Sequence, residues 1–230
     1  RNNRRRFPYG KGWEEWAGIK LHNTYSLIQG NYNCDNFAYG VWLDNGYGDA
    51  RIDGNIVLRN HKAGIFLELG GNPGHPCVIS NNIVGGTTGE GFYPGFGIYT
   101  HDASDVVIAH NLIFDNAGFG VLMRTITDRK FGGKLVETSR NQIINNVFHN
   151  NAQGAISLPY PNARSAGVVS EHNVFSAAAP TVFSLNKYQD DYKFADVAAA
   201  FSKKKAERAD VADLPAEWIN NPKLTFKQWQ

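Results

Sequence analysis

Short apolar stretches recur along the chain, each behind a single asparagine. Asn31, Asn55, Asn82, Asn111, Asn146 and Asn173 open the stretches NYN, NIVL, NIV, NLIF, NVF and NVF. Four of these asparagines are followed five positions later by a second one, at Asn36, Asn60, Asn116 and Asn151. Nine residues after four of the leading asparagines, a small residue (Gly40, Gly64, Gly120 or Ala155) starts another stretch. After Asn82 the step is longer, because GGTTGEGFYPGF intrudes before Gly97. These second stretches read GVWLD, GIFLE, GIYTH, GVLMR and AISLP, with an earlier copy, GIKLH, starting at Gly18. Their second and fourth positions are apolar or Thr throughout, while the third and fifth vary. A period of two predicts strands with one face inward and one outward.

Successive copies lie about 22 to 35 residues apart, and each is too small to bury its own apolar face. Stacking of such units predicts an all-β fold, a right-handed parallel β-helix in the form of a single-stranded solenoid. The repeated asparagines are then expected to form ladders that hydrogen-bond coil to coil. No segment of the repeat carries a 3.6-residue period, which excludes helical repeats, and the hairpin turns of a sandwich are missing. The pattern predicts coils over residues 1–176 and an irregular, partly helical extension over 177–230, with an amphipathic helix at about Phe194 to Arg208. Because the chain opens on Arg1 rather than Met and breaks off after PKLTFKQWQ, it reads as a piece of a longer polypeptide with further coils beyond Gln230.

The 230 residues, 42% of them hydrophobic, suffice for one large domain with a core. A net charge of +2 argues against a nucleic-acid or membrane-surface partner, and no apolar run reaches the ~20 residues of a membrane span. Arg4 to Arg6 and Lys203 to Lys205 are short basic runs that read as solvated surface. Cys34 and Cys77 form neither a metal pattern nor a disulfide framework and fall in different arms of the repeat. A secreted or periplasmic setting is preferred to a cytoplasmic one.

Aligning the second strands puts their fifth residues in one outward column: His22, Asp44, Glu68, His101, Arg124, Pro159. Beside it the third residues read Lys20, Trp42, Phe66, Tyr99, Leu122, Ser157. Coils of a parallel sheet sit ~4.8 Å apart, so Asp44 and Glu68 are neighbours whose mutual repulsion costs free energy unless something offsets it. One explanation is a surface salt ladder of mild stability. The other is catalysis: retaining glycosidases hold two carboxyl groups ~5–5.5 Å apart, whereas inverting enzymes need ~6.5–9.5 Å. The charge of Asp44 is expected to raise the pKa of Glu68 toward that of a proton donor. Asp102, next to His101, is expected to turn inward or into the corner. The long insertions GGNPGHP (70–76) and TITDRKFGGKLVETSR (125–140) leave the strands just past the column and can wall a cleft above it. GGTTGEGFYPGF brings Phe92, Tyr93 and Phe96 from the other end, and Trp42, Phe66 and Tyr99 offer ring faces for sugars or, alternatively, a covered aromatic ladder.

GVWLDNGYGDARIDGN followed by GIFLELGG resembles glycoside hydrolase family 120, β-xylosidases built on the pectin-lyase-like parallel β-helix. The resemblance covers roughly Gly18 to Asn173, and its diagnostic part is the WLD and FLE strands with their spacing. It implies a retaining glycoside hydrolase acting on a plant-type oligosaccharide or polysaccharide, with Asp44 as nucleophile and Glu68 as general acid/base. It also puts His22 and His101 beside the sugar; with Arg124 they are expected to hold hydroxyls and keep Asp44 ionised. Double displacement at such a pair needs no metal and no organic cofactor. The main rival is a polysaccharide lyase acting on uronate polymers, with Arg124, Lys62 or Lys20 as base; a non-catalytic carbohydrate-binding solenoid is the other. A zinc site from His22, Asp44 and His101 fits poorly, because one line over several coils cannot wrap a tetrahedral ion.

Overall fold

A computed structural model describes residues 16–89, 94–125, 129–159, 164–176, 181–186 and 223–224. The expected helix at Phe194 to Arg208 and the loop aromatics Phe92 and Tyr93 lie outside the described residues. The described chain is a parallel β-helix of three sheets. The largest stacks Ala17–His22, Tyr39–Asp44, Ala63–Gly70, Phe96–Ala103, Phe119–Arg124, Gly154–Pro159 and Phe183–Asn186, with Lys223–Leu224 added antiparallel at its edge. Parallel stacking thus runs past Ser176 into Phe183–Asn186. A second sheet carries the strands behind the leading asparagines, from Tyr32–Cys34 to Val174–Phe175. A third, which the repeat analysis did not anticipate, runs from Leu27–Gln29 to Val169–Glu171. Its strands are three or four residues long, too short to show an alternating pattern.

Each coil turns because single residues adopt left-handed backbone angles between its strands. The residue before every leading asparagine has φ between 55° and 66°: Gly30, Gly54, Asn81, His110, Asn145 and His172. Asn23, Asn45, Leu69 and Asp102 do the same just past the charged column, with φ of 51° to 58°. Gly and Asn pay least for this conformation. Inside the coils, the register sets like residue on like: Ile28, Ile52, Ile79, Ile108 and Ile143 stack in one sheet, and Val41, Ile65, Ile98, Val121 and Ile156 in another. Burying each such side chain is worth about 1.5–3 kcal/mol.

The asparagine ladder is continuous. From Asn31 through Asn55, Asn82, Asn111 and Asn146 to Asn173, each Nδ2 donates to the next Oδ1 at 2.9–3.0 Å. The same Oδ1 atoms accept a backbone N–H, and the amides of Asn55, Asn82, Asn111 and Asn146 also bind the carbonyls of Ile28, Ile52, Ile79 and Ile108. The side chains thereby satisfy the backbone N–H of each preceding ladder asparagine and isoleucine carbonyls of the coil before. A second ladder joins Asn36 to Asn60 and Asn116 to Asn151 at 2.8 and 2.7 Å. Between them Thr87 replaces asparagine where the long insertion enters, and it donates to Asn116 at 2.6 Å. Asn60 Nδ2 is left buried without a partner at that rung. Gly64 lies between these features; a Cβ there would meet Val84 at 2.6 Å and the Gly97 carbonyl at 2.8 Å, so the coils close only over hydrogen.

Truncating Asn111 removes an acceptor for Asn82 and donors to Ile79, Ala109 and Asn146 at a buried rung. Asn111→Ala is expected to cost about 3 kcal/mol or more in urea unfolding. Gln29→Ala, which removes an exposed bond to Asp53, should stay within about 0.5 kcal/mol. Equal losses would show that the ladder is not what holds the coils.

Candidate functional site

The register brings the charged column together. His22 pairs with Asp44, Asp44 with Glu68, Glu68 with His101, and His101 with Arg124. Asp44 makes a 3.2 Å salt bridge to Lys20, whose ammonium also lies 3.3 Å from the centre of the Trp42 ring. His22 is exposed and its Nε2 lies 3.0 Å from the amide of Asn45, on the left-handed residue just past the column.

Glu68 is the most heavily contacted member. Arg129 donates to its Oε1 at 2.8 Å, and His101 Nε2 lies 3.2 Å from the same oxygen. Asp102, fully buried, completes the group at 3.7 Å from both His101 Nδ1 and Arg129 Nη2. Its left-handed φ of 54° carries it round the corner expected for it and back against the histidine. Partial burial acts to raise the Glu68 pKa, but hydrogen bonds and charge from His101 and Arg129 outweigh it and hold the carboxyl at about 2. The expectation of a raised pKa is therefore overturned: Asp44 is the nearest carboxylate in register, yet the Arg129 guanidinium and the His101 ring touch Glu68 directly.

Arg129 is the residue that sequence reasoning missed. It belongs to the 125–140 insertion, which was expected only to wall a cleft. Within it a small hairpin, Lys130–Phe131 with Lys134–Leu135, places Arg129 at Glu68 and Phe131 at Gly46. A charged D-R-K run inside a loop aimed at two carboxylates was the available signal.

The neighbouring column is a packed seam. Trp42 and Phe66 are 2% exposed and Tyr99 is fully buried; with Tyr39, Phe96 and Leu122 they form a second apolar cluster. Phe66 stacks on Tyr99 at 4.8 Å, and His101 stacks on both. The expectation that these rings face sugars is corrected, because they bury their faces in one another. His101 and Arg124 are also buried, which turns His101 toward Glu68 rather than toward solvent. Lys62 and Arg124, two of the three bases considered for a lyase, are likewise closed off; Lys20 is half-buried. Among the described residues the accessible part of the column is thus His22, Asp44, Glu68 and their partners Lys20 and Arg129.

Fold and column together make this a pectin-lyase-like right-handed parallel β-helix with a partly open charged face. Residues 8–158 match the family model described as NosD, periplasmic copper-binding protein, and the chain belongs to that family. Among solved structures, the periplasmic alginate epimerase AlgG is 19% identical, with a TM-score of 0.54 over 70% of this chain and 36% of that one. The A-module of mannuronan C-5 epimerase AlgE4 from Azotobacter vinelandii is 15% identical, with a TM-score of 0.41 over 74% of this chain and 58% of that one. The chain therefore spans about a third of AlgG, and the likeness is one of fold. No curated protein matches. The family is described as periplasmic, in keeping with the secreted or periplasmic setting preferred from the sequence.

Copper favours imidazole, thiolate and thioether donors. The described residues do not fit it. Cys77 is buried, its thiol pushed up to about 12 by burial, and lies in a different sheet from half-buried Cys34. Met123 is fully buried in the core, and among the described residues no group of three or more His, Cys, Asp or Glu is placed to hold a metal ion.

The depressed pKa of Glu68 has a testable consequence. An unfolded glutamate titrates near 4.5 and the folded one at about 2, so the unfolded chain binds more protons between these values. Stability from Glu68 is present above the unfolded pKa and is lost as pH falls toward 2. Chemical denaturation from pH 6 to 2 should show the advantage of wild type over Glu68→Gln shrinking across this window. Arg129→Gln should move the window upward; an unchanged window would mean that Arg129 does not hold Glu68.

Proposed function

We propose that the chain is a carbohydrate-active β-helix protein, a retaining glycoside hydrolase whose catalytic pair is Asp44 and Glu68. Residues 1–176 form its working unit and 177–230 an extension to it. The observation that carries the reading is the register, which pairs Asp44 with Glu68 on adjacent strands. Strand spacing of ~4.8 Å matches the ~5–5.5 Å between carboxyl groups that double displacement needs. The resemblance to glycoside hydrolase family 120 points to a β-xyloside as substrate, with Asp44 as nucleophile.

The surroundings of Glu68 favour the opposite assignment. Clamped by Arg129 and His101 and held ionised, Glu68 suits attack on the anomeric carbon. Asp44, which faces Lys20 at 3.2 Å, is then left the acid/base role. In the first step a Glu68 oxygen bonds to the anomeric carbon as the glycosidic C–O bond breaks, and Asp44 protonates the departing oxygen. In the second, Asp44 takes a proton from water, the water oxygen bonds to the anomeric carbon, and Glu68 leaves as carboxylate.

Hydrolysis of an aryl β-xyloside by wild type, Asp44→Ala and Glu68→Ala, each with and without azide, tests the reading. Loss of the acid/base is expected to cost about 10²- to 10⁴-fold. Azide should rescue Asp44→Ala with a β-glycosyl azide and Glu68→Ala with the inverted α-azide. The reverse pattern would restore Asp44 as nucleophile, and wild-type rates in both variants would end the hydrolase reading.

A further inference from the structure

With the Trp42, Phe66 and Tyr99 rings closed, a sugar at the column needs another platform. One lies immediately past it. Asn23 follows His22 and Gly46 follows Asp44 by two residues, while Asn72 follows Glu68 by four. With Tyr25 and Phe131, these residues line a groove of about 250 Å³. That is just under the ~300–1,000 Å³ of sites that take whole drug-sized ligands, and it suits a single sugar ring.

Three features of the groove suit a ligand. Tyr25 is 73% exposed and Phe131 36%, so two aromatic side chains remain open to water without a packing reason. The floor is kept low by Gly46: a Cβ there would lie 3.0 Å from Asn23 Oδ1 and 3.2 Å from Phe131 Cζ. Its φ of 55° sits in the left-handed region, which favours glycine. Finally, Phe131 arrives on the same hairpin that places Arg129 on Glu68, so one loop builds both the charged end and the aromatic wall. None of the described residues lining the groove is charged. Aromatic faces with carboxamides and no charge recognise the C–H faces and hydroxyls of a neutral pyranose better than an anionic one.

We propose that the groove formed by Asn23, Tyr25, Gly46, Asn72 and Phe131 is a sugar subsite that binds a neutral pyranose ring of the oligosaccharide held at Asp44 and Glu68. This rests on the column's being a carbohydrate site, but not on its being hydrolytic. Tyr25 and Phe131 cover the ring faces, the asparagine amides meet its hydroxyls, and the ligand runs across the end of the strands rather than along the buried aromatic seam.

The test is calorimetric titration of the whole protein with xylo-oligosaccharides of two to six sugars and with oligomannuronate of matched length, using wild type, Asp44→Ala, Tyr25→Ala, Phe131→Ala and Phe131→Tyr. Wild type should bind the neutral series more tightly as length grows and prefer it to the uronate. Tyr25→Ala and Phe131→Ala should each weaken binding of the longer oligomers about five- to ten-fold and flatten the length dependence, and Phe131→Tyr should restore it. Tyr25 is exposed enough for its truncation to leave folding intact, so that variant decides if Phe131→Ala unseats its loop. Wild-type affinity in Tyr25→Ala overturns the subsite, as does preference for the uronate or failure to bind any neutral oligomer. Aromatic-dependent binding by a protein that hydrolyses nothing would instead sink the catalytic pair and leave the subsite standing.

Discussion

Everything in this protein hangs on the spacing between coils, which the asparagine ladder and the left-handed bends set together. Each ladder amide satisfies its own turn and the next one in the same act, because its oxygen accepts both a backbone and a side-chain N–H. A coil shifted by one residue would lose these bonds and turn its isoleucines outward, so the register is held by two independent penalties. The charged column is the consequence on the outer face: residues far apart in sequence stand one strand spacing apart because the core beneath them does.

The column then behaves as a set of local electrostatic problems with different solutions. Asp44 meets Lys20 from the preceding coil, while Glu68 draws in His101 from the following coil and Arg129 from a loop two coils on. Asp102, behind them, adds a second carboxylate beside His101 and Arg129. Two carboxylates in register are therefore held in unequal surroundings. The same loop lays Phe131 against Gly46, so the electrostatics of Glu68 and the shape of the adjoining groove depend on one hairpin.

Strand alternation and the spacing of Asn and Gly made two of the three sheets readable, along with the order of the column, because these are periodic and local. The third sheet escaped notice for want of length; segments such as RID or QII carry no pattern of their own and are strands only because neighbours above and below pair with them. Asn45 and Leu69 illustrate the same limit at the turns. Asn is a natural left-handed residue, but Leu69 takes a φ of 52° only because the coil on either side of it is already placed.

What the sequence determined by itself was the repeat and therefore the stacking: an Asn, a small residue and an alternating strand, recurring often enough that only a parallel β-helix buries them all. What the tertiary structure alone decided was which outward residues stay outward. Alternation puts Trp42, Phe66 and Tyr99 on the external face of their sheet as surely as Asp44 and Glu68, yet the rings are buried and the carboxylates remain reachable. Solvent access depends on what packs over a face, and Arg129 reaches Glu68 across 61 positions of chain by a loop path that no local pattern encodes.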